Sequence, residues 1–239
     1  MKLYAPVKSR AFLSVALLSA SAALTSAAGY RLNVADFNTL SVDNGVNVTY
    51  RCVPDSAGMV VFECDPELAS KILLINNKSN LRVQVDIDEG IPQNLPLLHV
   101  YSSGLTGVTN SGDSLVVVSL AGPGEKFSAR VIGNGTINIH DVNVRQAEAK
   151  VTAGKGFISI DGKADKAKLF IAGTGRIDAS GLRAEEVRSA SIGPGHIICN
   201  PSKKLSVSGL SGHVYYLTRP EELRQRGMGV RALPIDSLK

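Results

Sequence analysis

Acidic, imidazole and guanidinium side chains recur through the second half of the chain at positions that could serve carbohydrate chemistry. Glycosidases use two carboxyl groups, and polysaccharide lyases use carboxylates that hold calcium beside a base that removes a proton. Counted from the preceding repeat glycine, however, Asp178 lies three residues on, Asp161 five and Asp141 six, so these carboxylates do not share one column. The spacing argues against a catalytic cluster, and the chain is predicted not to be an enzyme. The side chains weighed for this role are Asp141, Asp161, Asp178, His140, His196 and Arg176.

Four side chains of another kind do share a column. Each directly follows the second glycine of a repeated glycine motif, so successive motifs place them one above the other. Aromatic and cationic side chains suit glycans and acidic partners, which makes this column the predicted binding surface. The alternative is a solvated face without a ligand. We call the set the contact column, and it consists of Phe157, Arg176, His196 and His213.

Other chemistry has less support in the sequence. None of the four histidines pairs with another His or a Cys at metal-ligand spacing, so no metal ion or other cofactor is predicted. Ser111, in NSGDS, does not lie in a nucleophile elbow. A lysine-rich stretch is interleaved with Glu148, Asp161 and Asp165, which is typical of a solvated face rather than a polyanion site. Its lysines are Lys150, Lys155, Lys163, Lys166 and Lys168.

A repeat organises the second half of the chain. The second glycines of its copies stand at 135, 156, 175, 195, 212 and 229, with steps of 21, 19, 20, 17 and 17 residues. This is the period of a stacked coil with one turn per repeat. The copies are GNGTINI from Gly133, GKGFISI from Gly154, GTGRIDA from Gly173, GPGHIIC from Gly193, the degenerate GLSGHVYY from Gly209, and GMGVRAL from Gly227.

Alternating apolar and polar residues after each Gly-x-Gly predict β-strands. Stacked in parallel, these strands would bury their apolar positions along the axis, with the glycines at corners. The sequence therefore predicts an all-β fold, a parallel β-helix of about 20 residues per rung over residues 97–239. The apolar ladder, broken only in its last copy, would be Ile137, Ile158, Ile177, Ile197, Val214 and Arg231.

The residues before the repeat divide into two segments. Residues 1–28 have a basic start, an apolar run and a small-residue end, which predicts a signal peptide cleaved near Ala28 and hence an exported protein. Residues 29–96 lack the repeat and alternate in short runs, which predicts a mainly antiparallel β cap that could be continuous with the coil. Asp65 and Pro66 favour one short helix start within it.

Export bears on the cysteines, because thiols outside the cytoplasm can persist as disulfides. Cys52 and Cys64 end two β-rich runs joined by the turn-forming segment 54–58, and a hairpin would place them opposite each other. The sequence thus predicts a Cys52–Cys64 disulfide. Cys199 falls at an inward repeat position and is predicted to be a small buried hydrophobe.

The charge of the chain gives no support to a nucleic-acid partner. The formal net charge is +5, but Lys2, Lys8 and Arg10 lie in the predicted signal peptide, and without them 23 basic residues face 21 acidic ones. No segment after the signal peptide has 18 consecutive apolar residues, so an integral membrane protein is not expected either.

The repeated Gly-x-Gly-x-Ile motifs, the opening FNTLSVDNGVNVTY at 37–50, Tyr215-Tyr216 before Pro220 and the final GMGV resemble the DUF2807 family. This is the putative auto-transporter adhesin head GIN domain, and the resemblance covers about Phe37 to Leu233. It implies a right-handed β-helix exported to the bacterial envelope, common among Bacteroidetes, with a role in adhesion and no established catalytic residues. The chain departs from the family pattern at 217–220, and the segment from Pro220 could start a helix where the family implies a strand.

Together these observations favour an exported, non-catalytic β-helix that presents a rigid surface for adhesion. Its partner would be a glycan or a protein of the envelope or host surface. Two alternatives stay open: a carbohydrate-active enzyme on the same scaffold, and an envelope structural or stress protein without a dedicated ligand.

Overall fold

A computed structural model describes residues 28–88, 90 and 92–238 of the chain. About 62% of the protein is strand, and the strands wind into a β-solenoid of about six turns with roughly 20 residues per turn, as the repeat predicts. The predicted signal peptide lies outside the described residues except for Ala28, which begins the first strand. Within the described part of the chain, no helix is both long enough and apolar enough to cross a membrane.

The described residues of the first half form nine short strands and one short α-helix. Turns or irregular segments lie between most of them, although the helix leads directly into the strand that follows it, and no described strand in this half exceeds six residues. In chain order these elements are β1 (Ala28–Asn33), β2 (Thr39–Val42), β3 (Val48–Cys52), β4 (Met59–Cys64), α1 (Pro66–Lys71), β5 (Ile72–Asn77), β6 (Asn80–Val85), β7 (Leu98–Ser102), β8 (Gly107–Asn110) and β9 (Leu115–Ser119).

The second half contains the long strands that the repeat predicts. Four of them have 14 to 16 residues and turn a corner in mid-strand, where the pairing register shifts. The strands are β10 (Gly124–Val131), β11 (Thr136–Val151), β12 (Phe157–Ile171), β13 (Arg176–Ser191), β14 (His196–Gly209), β15 (His213–Tyr216), β16 (Glu222–Arg226) and β17 (Arg231–Pro234).

The strands stack in two parallel ladders that share the long strands. The first ladder runs β7, β3, β9, the amino-terminal halves of β11 to β14, then β15 and β17. The second runs β6, β2, β8, β10, the carboxyl-terminal halves of β11 to β14, then β16. We call one turn through both ladders a rung. Neighbouring rungs are about 4.8 Å apart, the spacing of hydrogen-bonded strands.

The apolar ladder predicted from the repeat lies inside the solenoid. Ile137, Ile158, Ile177 and Ile197 pair in sequence across β11 to β14, and each is 0% exposed. The expected break at Arg231 is wrong, because Ala232 and not Arg231 stands opposite Val214. In the last copy Val230 stands between the second glycine, Gly229, and the outward column, so this copy is shifted by one position.

The glycines of the motif allow the rungs to stack backbone on backbone. A Cβ placed on Gly175 would lie 2.2 Å from the carbonyl oxygen of Gly156 on the rung before, so no larger residue fits without a shift. At the other corner, Gly162 has a φ of +122°, in the region that favours glycine, and a Cβ there would lie 2.1 Å from the Val142 carbonyl oxygen.

The N-terminal region combines antiparallel and parallel pairs. The predicted antiparallel pairing occurs in β1–β4, β4–β7 and β5–β6. β2 and β3, by contrast, lie within the parallel ladders, so the solenoid continues into the residues assigned to the cap. The predicted helix is present as α1, with Asp65 as N-cap and Pro66 at its first position, although the Asp65 side chain makes no capping hydrogen bond.

The predicted Cys52–Cys64 disulfide is wrong in this structure, because β3 and β4 do not form a hairpin. Strand β7 lies between them, and Cys52 stands opposite Ser102 while Cys64 stands opposite Ala28. Both thiols are free, and the Cys52 Sγ lies 3.2 Å from the carbonyl oxygen of Ser103, to which it donates. Cys199 is 1% exposed, as predicted for a small buried hydrophobe.

The segment after Pro220 forms strand β16 and not a helix. Its residues pair in parallel with β14, from Glu222 opposite Lys204 to Arg226 opposite Ser208. Ladder pairing therefore overrides the local helix-start signal, as tertiary context commonly does. The strand implied by the family resemblance is the one observed.

Candidate functional site

The contact column is a real column of the first ladder. Phe157 pairs with Arg176, Arg176 with His196, and His196 with His213, on successive rungs. Arg176 and His196 are exposed, and Phe157 and His213 are half-buried. The one-residue shift in the last copy adds Arg231, which stands opposite His213. The structure thus brings all four predicted side chains together on one outward strip.

Arg176 occupies the centre of this strip and makes two contacts. Its guanidinium carbon lies 5.9 Å from the centroid of the Phe157 ring, within reach of a cation–π interaction. Its Nη2 lies 2.5 Å from Oδ2 of Asp178, two residues later on the same strand. Burial by itself raises the pKa of Asp178, but hydrogen bonds from Ser180 and Arg176 outweigh it and hold that pKa below its usual value. Asp178 is therefore ionised at neutral pH.

The histidines of the column stand beside an aromatic ring. The His196 and His213 ring centroids are 5.8 Å apart, and Tyr215 lies 6.1 Å from the first and 6.0 Å from the second. Nδ1 of His213 is buried and has no hydrogen-bond partner among the residues described. The arrangement forms a band of flat rings and cations that a planar or acidic ligand could lie along.

The side chains weighed for catalysis fall into two separate places. At the mid-strand corner of β11 and β12, Oδ2 of Asp161 lies 2.8 Å from Nδ1 of His140. The backbone N–H of Asp141 donates to Asp161 Oδ1 over 3.0 Å. Asp141 has a φ of +61°, so the chain turns tightly there, and the Asp161 carboxylate stabilises this turn by accepting from the Asp141 N–H. Both residues are turn residues, as predicted. Asp178 lies on the first ladder, bound to Arg176. In the described part of the chain, no hydrogen bond or ion pair joins Asp161 to Asp178.

Within 28–88, 90 and 92–238, no group of three or more His, Cys, Asp or Glu side chains is placed to hold a metal ion.

A second outward feature, which sequence reasoning missed, is a groove of about 500 Å³ on the second ladder. Its lining comes from five successive strands, β11, β12, β13, β14 and β16. Among the described residues, Glu148 is the one carboxylate that lines it. We call it the basic groove, after its six cationic side chains: Lys150, Lys168, Arg188, Lys204, Arg224 and Arg226.

The groove exists because small residues alternate with long ones on this face. Ala190 and Ser208 follow Phe170 in one outward column, and Ser206 follows Arg188 in the next. These short side chains leave a depression, and long cationic side chains stand on the rungs around it. Aligning outward residues at steps of 18 to 20 residues along the sequence would reveal this alternation of short and long side chains. Counting lysines within one segment of the chain does not reveal it.

Acidic neighbours neutralise only part of the groove. Nζ of Lys150 lies 2.5 Å from Oε1 of Glu148, and this hydrogen bond is the main cause that lowers the pKa of Glu148. Lys204 and Arg224 both pair with Glu222. In the described part of the chain, three groove cations form no ion pair: Lys168, Arg188 and Arg226.

Comparison with known proteins places this fold. The sequence model of the family described as putative auto-transporter adhesin, head GIN domain, matches residues 36–220. A putative adhesin of Bacteroides fragilis NCTC 9343 superposes with a TM-score of 0.78 at 20% identity, over 87% of this chain and 97% of that one. A putative lipid binding protein of Parabacteroides distasonis ATCC 8503 gives 0.67 at 17% identity, over 87% and 96%. No curated protein matches the chain.

Proposed function

Since the chain belongs to the family of putative auto-transporter adhesin head GIN domains, we propose that it is an exported, non-catalytic binding protein. Its solenoid presents a rigid outward surface to a glycan or to a protein of the envelope or host surface. Rigidity favours this role, because a preformed surface loses little conformational entropy when it binds.

The observation that carries the proposal is the register of the contact column. Phe157, Arg176, His196 and His213 occupy four consecutive rungs of one ladder, so the backbone hydrogen bonds fix their spacing. Adhesion needs a surface of this kind and no reacting group. A role without catalysis is supported by Asp178, which is tied to Arg176, and by Asp161, which closes a turn with His140.

The test is an array of glycans and extracellular polysaccharides incubated with the purified protein, scored for retained protein and for shortened chains on the same spots. Retention without cleavage is expected. Arg176→Ala and His196→Ala should each weaken it. The matched controls are Arg183→Ala and His99→Ala, which remove the same side-chain types outside the contact column and should leave retention unchanged.

Three outcomes would contradict the proposal in different ways. Shortened chains would make the protein a carbohydrate-active enzyme. Equal losses in the column and control variants would remove the contact column from the binding surface. Neither retention nor cleavage on any glycan, together with no retention on immobilised envelope proteins, would favour a structural envelope role without a ligand.

A further inference from the structure

The basic groove is a site separate from the contact column. None of Phe157, Arg176, His196 and His213 lines it, and it lies on the second ladder whereas they lie on the first. Its five strands are consecutive rungs, so the groove extends for about 19 Å along the solenoid axis, taking about 4.8 Å per rung. A depression of this length fits an extended chain better than a single small ion.

The charges of the groove specify an anionic chain. Lys168 and Arg188 stand opposite each other on adjacent rungs, and Arg226 lies at the far end of the groove. These cations lack carboxylate partners in the described residues, so they are available to anionic groups that repeat along a ligand. A concave surface lined by charge of one sign also strengthens the local field.

The floor of the groove favours a sugar. Phe170 is half-buried beside Ala190 on the next rung, which leaves one face of its ring uncovered by a large side chain. An aromatic face packs well on the C–H surface of a sugar ring. Ser206 and Ser208 add hydroxyl groups that donate and accept hydrogen bonds, as the hydroxyls of a sugar require.

We propose that the basic groove binds an acidic polysaccharide. Carboxylate or sulfate groups of the polysaccharide pair with Lys168, Arg188 and Arg226, and one sugar ring packs on Phe170. Single-stranded nucleic acid is disfavoured, because such ligands are held on several stacked aromatic side chains. Among the described residues, Phe170 is the one aromatic side chain that lines this groove. A flat bilayer is disfavoured because the cations surround a depression.

The experiment measures affinity by isothermal titration calorimetry with polygalacturonate, which carries carboxylates, heparin, which carries sulfates as well, and neutral dextran. Binding to at least one of the two acidic polymers, weakened by added salt, and none to dextran is expected. The double substitution Lys168→Gln/Arg188→Gln should weaken binding about tenfold, since two charge contacts are lost.

A matched control uses the same two strands. Lys163 and Arg183 are exposed cations that stand opposite each other on β12 and β13, outside the groove. Lys163→Gln/Arg183→Gln makes the same change of charge and should change affinity less than about twofold. Circular dichroism and the melting temperature check that both variants fold.

A further variant separates shape from charge. Ala190→Phe fills the floor of the groove without altering any charge, and it should also weaken binding about tenfold. Equal losses in the two double variants, equal binding of dextran, or binding of a thymidine oligonucleotide or of phosphatidylglycerol vesicles as tightly as the acidic polymers would each overturn the proposal. A loss of affinity for the acidic polymers in Arg176→Ala, with none in Lys168→Gln/Arg188→Gln, would assign that binding to the contact column, so the groove and the proposed adhesive surface can fail separately.

Discussion

Arg176 donates a hydrogen bond to Asp178 on the same strand, with 2.5 Å between Nη2 and Oδ2. Both side chains point outward because residues two apart share a face of a strand. The pair therefore ties the central cation of the contact column to its own rung. The orientation of the guanidinium over Phe157 is set by a carboxylate as well as by the ring.

The first prediction concerns Asp178. Burial raises the pKa of Asp178, and hydrogen bonds from Ser180 and Arg176 lower it. Arg176→Gln should therefore raise this pKa, because it removes one of the interactions that lower it. The folded-state pKa of Asp178 is depressed, so its stabilising contribution is present above the unfolded value and is lost as the pH falls through the folded value. The variant should therefore lose less stability on acidification below about pH 4. Carbon-detected NMR titration and urea unfolding at several pH values measure the two effects.

Arg183→Gln is the control for this prediction, because Arg183 is an exposed cation of the same strand that forms no ion pair with another described residue. An Asp178 pKa that stays unchanged in Arg176→Gln would show that Ser180 alone holds it down.

The second prediction concerns the apolar ladder. Ile158 is 0% exposed and stands between Ile137 and Ile177, so Ile158→Ala leaves a cavity that the stacked rungs cannot close. We expect the free energy of unfolding in urea to fall by about 2–5 kcal/mol. Ile192→Ala, at a side chain that is 52% exposed, should cost less than about 0.5 kcal/mol. Similar losses at both sites would mean that the ladder does not form the core.

The third prediction concerns the corners. Gly175→Ala places a methyl group 2.2 Å from the Gly156 carbonyl oxygen, and the backbone of one rung must move. We expect a loss of about 1–3 kcal/mol, read as a lower melting temperature. Gly104→Ala is the matched change, since nothing lies within 4 Å of a Cβ there, and it should be neutral. Equal melting temperatures for the two variants would refute close stacking at the corner.

The fourth prediction concerns the thiols. Titration of the denatured protein with a thiol reagent, without any reductant, should find all three cysteines reduced. In the folded protein Cys52 should react before Cys199, because burial raises the pKa of Cys199 to about 12 and leaves almost no thiolate. Cys52→Ser should remove the fast phase. A count of one thiol in the denatured protein would restore the Cys52–Cys64 disulfide.

The repeat made the second half of the fold predictable from the sequence. Ile137, Ile158 and Ile177 recur at nearly constant steps, and parallel stacking then fixes their register without knowledge of distant partners. The contact column followed from the same count. Only the last copy failed, because Val230 separates its second glycine from Arg231 and so places Arg231 in the outward column.

The pairing of the N-terminal strands could not be predicted in the same way. Strand β7 enters between β3 and β4 from a distance of more than 30 residues, and no local pattern near Cys52 or Cys64 signals its arrival. The predicted hairpin assumed that strands consecutive in sequence pair with each other. This assumption does not hold for β3 and β4, because each pairs with β7 instead.

The basic groove was missed for a different reason. Lys168, Arg188 and Arg226 are far apart in sequence, and acidic residues separate the lysines along the chain, so the stretch read as a solvated face. Adjacent residues of a strand point to opposite faces, and residues on the two sides of a corner lie on different ladders. The positive charge of the groove is visible only when residues of successive rungs are grouped by their paired positions.

The corner within each of β11 to β14 has a mechanical consequence. Because one continuous strand of 14 to 16 residues serves both ladders, a force that peels one rung from its neighbour must break the hydrogen bonds of both ladders together. The strands β15, β16 and β17 have four or five residues and each belongs to one ladder. The amino-terminal strands β2, β3 and β6 to β9 are also short and confined to one ladder each, so under tension the solenoid should give way first at its ends, while the rungs of β11 to β14, which carry most of both outward surfaces, yield last.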